Sequence, residues 1–163
     1  MTEETPRRAW LPPRWVVRSA WAIHRWLYRA TGGQLGLRPP KAGGYGLARL
    51  TTVGRRSGEK RSVMIGYVED GVDIVTMAMN GWADPEPAWW LNLQAHPEAT
   101  LGLPDGDRHV RGRSAIGDER SRLWDEWRRI DKNLDTYAAR RSRETAVVIL
   151  EPLSTAPDKA LGG

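Results

Sequence analysis

The strongest constraint on this chain is its punctuation. From residue 47 onward, short apolar segments are separated by turns rich in glycine and aspartate. Residues 47–53 and 62–69 flank Gly54-Arg55-Arg56-Ser57-Gly58, and residues 72–79 follow Glu69-Asp70-Gly71. Segments 100–103 and 108–116 flank Pro104-Asp105-Gly106-Asp107, and residues 145–150 form a last apolar run. Asp-Gly pairs between apolar segments favour tight hairpin turns whose twist matches that of the paired strands. Six such strands predict a mainly β (α+β) domain closed into a small barrel, because closure removes the edges that antiparallel strands otherwise expose.

Helices are few. Residues 88–95 form a short one that must stop at His96-Pro97, since a residue before proline is pushed out of the helical region. Asp118 is placed to cap a longer helix reaching Leu134 or Tyr137, with Leu123, Trp124, Trp127 and Ile130 at core-facing spacing. Near the N-terminus, Pro12-Pro13 and Gly32-Gly33 bracket a helical candidate over residues 14–31. Arg14, Arg18, Arg25 and Arg29 share one stripe of it, opposite an apolar side that includes Trp15 and Trp26. Such a helix either lies in a membrane interface or packs on its own domain, and the residues leave both open. The organisation expected is a basic arm at 1–33, a Gly/Pro connector at 34–46, a barrel at 47–152 and a loose tail at 153–163.

Charge sharpens the reading of the arm. Eleven Arg and Lys residues against Glu3 and Glu4 put the first 58 residues at +9, so in a chain of net charge +5 the rest carries −4. A basic arm on a mildly acidic body implies an anionic partner: a membrane surface, nucleic acid or a cofactor. Nucleic acid ranks lowest, since nothing resembles a groove-reading motif. With no cysteine and only His24, His96 and His109, thiol chemistry is excluded and no metal site is expected. No apolar run is long enough to span a membrane. The expected location is therefore the cytoplasm, with a peripheral position on the membrane as the alternative that the arm suggests.

The first hairpin turn carries the chemistry. Two glycines let backbone N–H groups approach a ligand closely, and Arg55 and Arg56 between them, with Lys60 and Arg61 behind, supply permanent charges suited to phosphate or carboxylate. The helix at 88–95 then brings Pro87, Trp89, Trp90, Asn92 and Leu93. Together these point to a flat aromatic ligand with an anionic tail.

The order Leu50-Thr51-Thr52-x-Gly54-Arg55-Arg56-Ser57-Gly58, then Arg61, then Pro87-x-Trp89-x-x-Asn92-Leu93 resembles the deazaflavin-dependent nitroreductase family, over roughly residues 47–151. That resemblance implies a split β-barrel of the flavin reductase/pyridoxamine-phosphate-oxidase type, with a late helix over the pocket. It implies coenzyme F420 as cofactor and a quinone, enone or nitro compound as the small-molecule acceptor, reduced by hydride transfer. By position, Arg55, Arg56, Ser57, Gly58 and Arg61 correspond to the residues holding the acidic tail. Ser62, Val63 and Met64 correspond to the segment along the ring. Met77, Ala78, Met79, Asn80, Gly81 and Trp82 correspond to the ring-and-phosphate loop, and Ala88, Trp89 and Asn92 to the neighbouring helix wall. Asn92 is expected to hydrogen-bond nearby backbone. Tyr137 is the candidate catalytic proton donor, solvent being the other source. The chain departs from the family where proline is common at Met64, serine at Met79 and lysine at Asn80. Two other readings stand beside this one: a non-catalytic relative binding F420, lipid or haem, and an FMN- or pyridoxal-phosphate-linked oxidase. A monomer and a homodimer are both compatible with the sequence.

Overall fold

The computed structural model describes residues 36–153. The arm at 1–33 and most of the tail at 153–163 lie outside the described residues, and with them the amphipathic helix expected at 14–31. Six strands close into one barrel in the order β1-β2-β3-β6-β5-β4: β1 (Gly46–Val53), β2 (Lys60–Asp70), β3 (Asp73–Met77), β4 (Glu98–Leu103), β5 (Gly106–Ser114) and β6 (Val147–Pro152). Every pairing is antiparallel. Among the described residues three helices accompany them: α1 (Ala88–Ala95), α2 (Gly117–Ile130) and α3 (Leu134–Ala138). The mainly β split barrel expected from the sequence is the fold observed.

The apolar run of β6 has a simple cause. Val148 and Leu150 point into the barrel with Ile74, Leu50 and Leu101, while Val147 and Ile149 point outward with Val75 and Met77. The outer group is covered by Leu123, Trp127 and Leu134 from α2 and α3. A strand buried on both faces must be apolar at every position, whereas β1, with one covered face, alternates. Inside, α1 plugs the barrel with Trp89, Trp90 and Leu93.

Most strand boundaries shift by one or two residues from the sequence reading, and three differences have a clear local cause. Strand β3 ends at Met77 rather than Met79: Ala78 makes a last in-register bond to the Ala146 carbonyl, and the Met79 N–H then folds back onto the Met77 carbonyl at 2.8 Å. The long helix is two. Asp131 ends α2, its carboxylate accepts the Asn133 N–H at 2.9 Å, and α3 restarts at Leu134 so that this leucine reaches the core. Asp118 is not the cap: Ile116 occupies that position, and Asp118 and Glu119 lie in the first turn, where their charges suit the helix N-terminus.

Candidate functional site

The bend between β1 and β2 is built by its two glycines. The Gly54 N–H donates to the Glu59 carbonyl and the Gly58 N–H to the Gly54 carbonyl, both at 2.8 Å. A β-carbon on Gly54 would sit 2.8 Å from Ser57 Oγ and 3.2 Å from the Glu59 carbonyl, and Gly58 has φ +70°, so neither position accepts another residue without strain. Ser57 Oγ closes the bend by accepting the Glu59 N–H at 3.3 Å. Arg55, Arg56, Lys60 and Arg61 are all exposed at this end of the barrel. Arg61 is engaged by Glu59 at 2.6 Å.

Beneath the bend lies Asn92, 4 % exposed. Its Oδ1 accepts the Arg55 N–H at 3.1 Å and the Arg55 guanidinium at 3.4 Å, and its Nδ2 donates to Thr52 Oγ1 at 3.1 Å. The Thr52 hydroxyl in turn donates to the Arg61 carbonyl at 3.5 Å. One buried amide therefore ties α1 to the end of β1 and to the arginine bend. The expected bond from Asn92 to nearby backbone is present.

Strand β2 pairs with β1 along its length from Lys60 to Tyr67, but β3 pairs only with Val68, Glu69 and Asp70. The Gly66 carbonyl faces β3, where it accepts the Thr76 hydroxyl at 2.7 Å, and the Arg61 carbonyl faces β1. Backbone direction alternates along a strand, so the main-chain groups of Ser62 and Met64 face away from β1, along the edge where β3 has departed. Val63 turns its side chain toward the barrel interior. This is the split in the barrel: a stretch of β2 whose outer edge no other described strand pairs, ending at the cationic bend.

The chain leaving β3 supplies further candidates. The side chains of Met77 and Ala78 are buried, which leaves their main chain as the part that could face a ligand. Beyond them, Asn80 and Gly81 are exposed, and Met79 and Trp82 pack against the outer apolar group beside Trp124 and Ile130. Gly81 has φ +56° and Trp82 φ +60°. The Trp82 indole stacks on Tyr137, whose ring also lies 5.5 Å from the Arg140 guanidinium. On α1, Ala88 is exposed, whereas Trp89 is buried in the barrel interior, so it forms a wall from within.

The sequence reading missed Arg141. It stands in the run Arg140-Arg141-Ser142-Arg143, which looks like solvated charge, yet its side chain is 0 % exposed. Its Nη1 donates to the Ala78 carbonyl at 3.1 Å and to Thr145 Oγ1 at 2.7 Å, and its Nη2 to the Asp84 carbonyl at 3.4 Å. Glu86 lies 3.7 Å away. The adjacent Ser142 N–H binds the Asp84 carboxylate and holds that carboxyl below the usual range. Nothing in the spacing of these residues announces the cluster.

The donor set suits an anionic, planar cofactor. Fixed cations stand at one end of an open strand edge, main-chain groups lie along that edge, and Met79 and Trp82 offer apolar surface. Within the bend, Glu59 is the one carboxylate that competes.

The chain is similar to known proteins in both sequence and fold. A family model described as F420H(2)-dependent quinone reductase matches residues 20–152. An F420H(2)-dependent quinone reductase of Mycobacterium tuberculosis (strain ATCC 25618 / H37Rv) is 29% identical over 131 residues, covering 78% of this chain and 87% of that protein. Among solved structures, one titled as an F420-H2 dependent reductase (FDR-A) superposes with a TM-score of 0.58 at 26% identity, covering 64% of this chain and 93% of its own. Another, titled as a domain-swapped dimer, has a TM-score of 0.62 at 25% identity, covering 83% and 98%.

Proposed function

Since the chain belongs to the F420H(2)-dependent quinone reductase family, we propose that the arginine bend, the open edge of β2 and the segment after β3 form the seat of the cofactor. The protein is an F420-dependent oxidoreductase acting on a quinone. The observation that carries the seat is the coincidence of exposed cations with a strand edge that no other described strand pairs, at one end of the barrel.

When bound, the reduced deazaflavin supplies a hydride, a two-electron donation that matches quinone reduction. The chain's own residues do the rest. Arg55, Arg56 and Arg61 hold the acidic tail through charge-assisted hydrogen bonds, with the turn of Ser57 and Gly58 leaving room for it. The main chain at Ser62 and Met64 orients the ring edge, with Val63 anchoring the strand inward. Met79, Asn80, Gly81 and Trp82 border the ring, and Ala88, Trp89 and Asn92 back the bend. Donor and acceptor are thereby held in contact and water is excluded. The quinone gains the hydride and one proton to become the quinol, and the Tyr137 hydroxyl gives that proton to the quinone oxygen. Enones and nitro compounds are further acceptors, with Met79 offering them an apolar contact.

Titrating the protein with F420, beside FMN and FAD, tests the seat through quenching of its nine tryptophans. Binding of F420 alone, with turnover of a soluble quinone, is the expected result. A preference for FMN, or tight F420 binding with no turnover of any acceptor, would overturn it in favour of an FMN-linked or non-catalytic protein.

The basic arm is the reason to place the protein on anionic lipid, where quinones reside. Among the described residues no helix is long and apolar enough to cross a membrane. Sedimentation with anionic liposomes tests this, because binding must vanish when residues 1–33 are deleted. A homodimer is proposed by analogy with the domain-swapped neighbour, and sedimentation equilibrium decides it.

A further inference from the structure

We propose that Arg141 is a positioning residue: with Glu86 it clamps the segment 78–86, and so sets where the ring-facing residues 79–82 stand during hydride transfer. This rests on the cofactor seat assigned above.

A guanidinium with no exposed surface is costly unless its charge and donors are met. Arg141 meets them mainly on the loop between β3 and α1. The Ala78 carbonyl stands at the start of that loop, and the Asp84 carbonyl and the Glu86 carboxylate stand toward its end. The remaining contact, Thr145 Oγ1, anchors the same guanidinium to the approach to β6. Ser142 adds a parallel tie by donating its N–H to the Asp84 carboxylate at 2.5 Å. Two consecutive residues therefore hold both ends of the segment whose middle contains Met79, Asn80, Gly81 and Trp82.

That middle needs holding. Gly81 and Trp82 are both in the left-handed region, and a tryptophan persists there only where its surroundings over-determine it. Inside the loop itself, one backbone hydrogen bond, from the Ala83 N–H to the Asn80 carbonyl at 3.0 Å, supports the turn. The planar fork of arginine reaches two carbonyls and a hydroxyl in fixed directions, which the single ammonium of lysine does not reproduce. Among the described residues Glu86 Oε2 and Arg141 Nε have no hydrogen-bond partner, so the ion pair is the looser element and the fork the stricter one.

The test compares wild type with R141K, T145V and E86Q. Amide hydrogen exchange is followed over residues 79–84, alongside F420 affinity and kcat with a soluble quinone. For R141K, exchange over 79–84 should accelerate about tenfold with the barrel strands unchanged. Affinity for F420, set by the tail cations, should change by less than about threefold, while kcat falls about tenfold through lost alignment. T145V removes one acceptor from a side chain of the same shape and should move both readings in the same direction, by about threefold. It carries the test if R141K fails to fold. E86Q should have the smallest effect. Unchanged exchange in both Arg141 and Thr145 variants would overturn the clamp, and accelerated exchange with wild-type kcat would reduce Arg141 to a stabiliser and overturn its positioning role. If wild type fails to bind F420, the cofactor seat is wrong, and the exchange pattern alone still decides whether the clamp exists.

Discussion

The Trp82 indole stacks on the ring of Tyr137 with centroids 5.8 Å apart and planes 29° from parallel, although Trp82 holds φ +60°. A left-handed backbone costs an L-residue about 1–2 kcal/mol, while an aromatic pair returns about 0.5–1.5 kcal/mol beyond its burial. The pair therefore joins the segment after β3 to α3 by offsetting a strain with a stack. Trp82→Gly should lose the stack but relieve the backbone, whereas Trp82→Ala loses the stack and keeps the strain. Urea denaturation should rank the alanine variant below the glycine variant by about 1 kcal/mol. Equal stabilities would show that the stack imposes no strain.

Tyr137→Phe keeps the ring against Trp82 and removes only the hydroxyl. If that hydroxyl gives the proton to the quinone, kcat should fall by about tenfold to a hundredfold with F420 affinity intact. A kcat equal to wild type assigns the proton to solvent.

The arginines of the bend should not contribute equally. Arg61 is already paired with Glu59, while Arg56 has no such carboxylate in the bend. Alanine at Arg55, Arg56 and Arg61 together should abolish measurable F420 binding, and each single loss should steepen with falling salt. Glu59→Gln should act in the opposite sense, tightening F420 by about twofold to fivefold by releasing Arg61, a small effect because the pair is exposed. Weaker binding in that variant would mean that Glu59 orients Arg61 rather than competing for it.

Asn92→Ala leaves the Arg55 N–H and the Thr52 hydroxyl without their buried partner. A cost of about 1–3 kcal/mol in unfolding free energy is expected, with weaker F420 binding from the loosened bend. Thermal melts and fluorescence titration measure the two effects separately, and wild-type values in both would remove Asn92 from this role.

Stability should have a plateau in pH. Hydrogen bonds from Arg122 hold Asp70 below the usual carboxylate range, those from Trp124 and Arg128 do so for Asp135, and those from Arg113 for Glu119. A lowered carboxyl contributes stability that is present above its unfolded value, about pH 4, and is lost as pH falls through the folded one. Burial acts the other way on Tyr67, raising its hydroxyl, so stability is kept below about pH 10 and lost as pH rises above that value. Asp73, raised by burial, opposes the acid trend by itself. Denaturation midpoints should be flat from about pH 5 to 9 and fall on either side. A maximum below pH 4 would contradict these assignments.

What the residues determine by themselves is local. The bend at 54–58 follows from two glycines and its near neighbours, and α1 ends where Pro97 demands, so both are legible without the rest of the chain. The strand pattern is legible too, since alternation at β1 and the continuous apolar run at β6 record how many faces each strand buries. The tertiary structure decides the rest, because the contacts involved join residues far apart in sequence. Where β3 leaves β2 depends on Thr76 and Met77 continuing to pair with Val148 and Val147 of β6, and whether Asn92 is a ligand contact or a strut depends on Thr52 and Arg55 arriving beside it. The burial of Arg141 among three exposed neighbours is set by Ala78 and Asp84, more than fifty residues earlier in the chain. A charge is read as solvated until the fold brings partners that can replace its water, and no local periodicity carries that information.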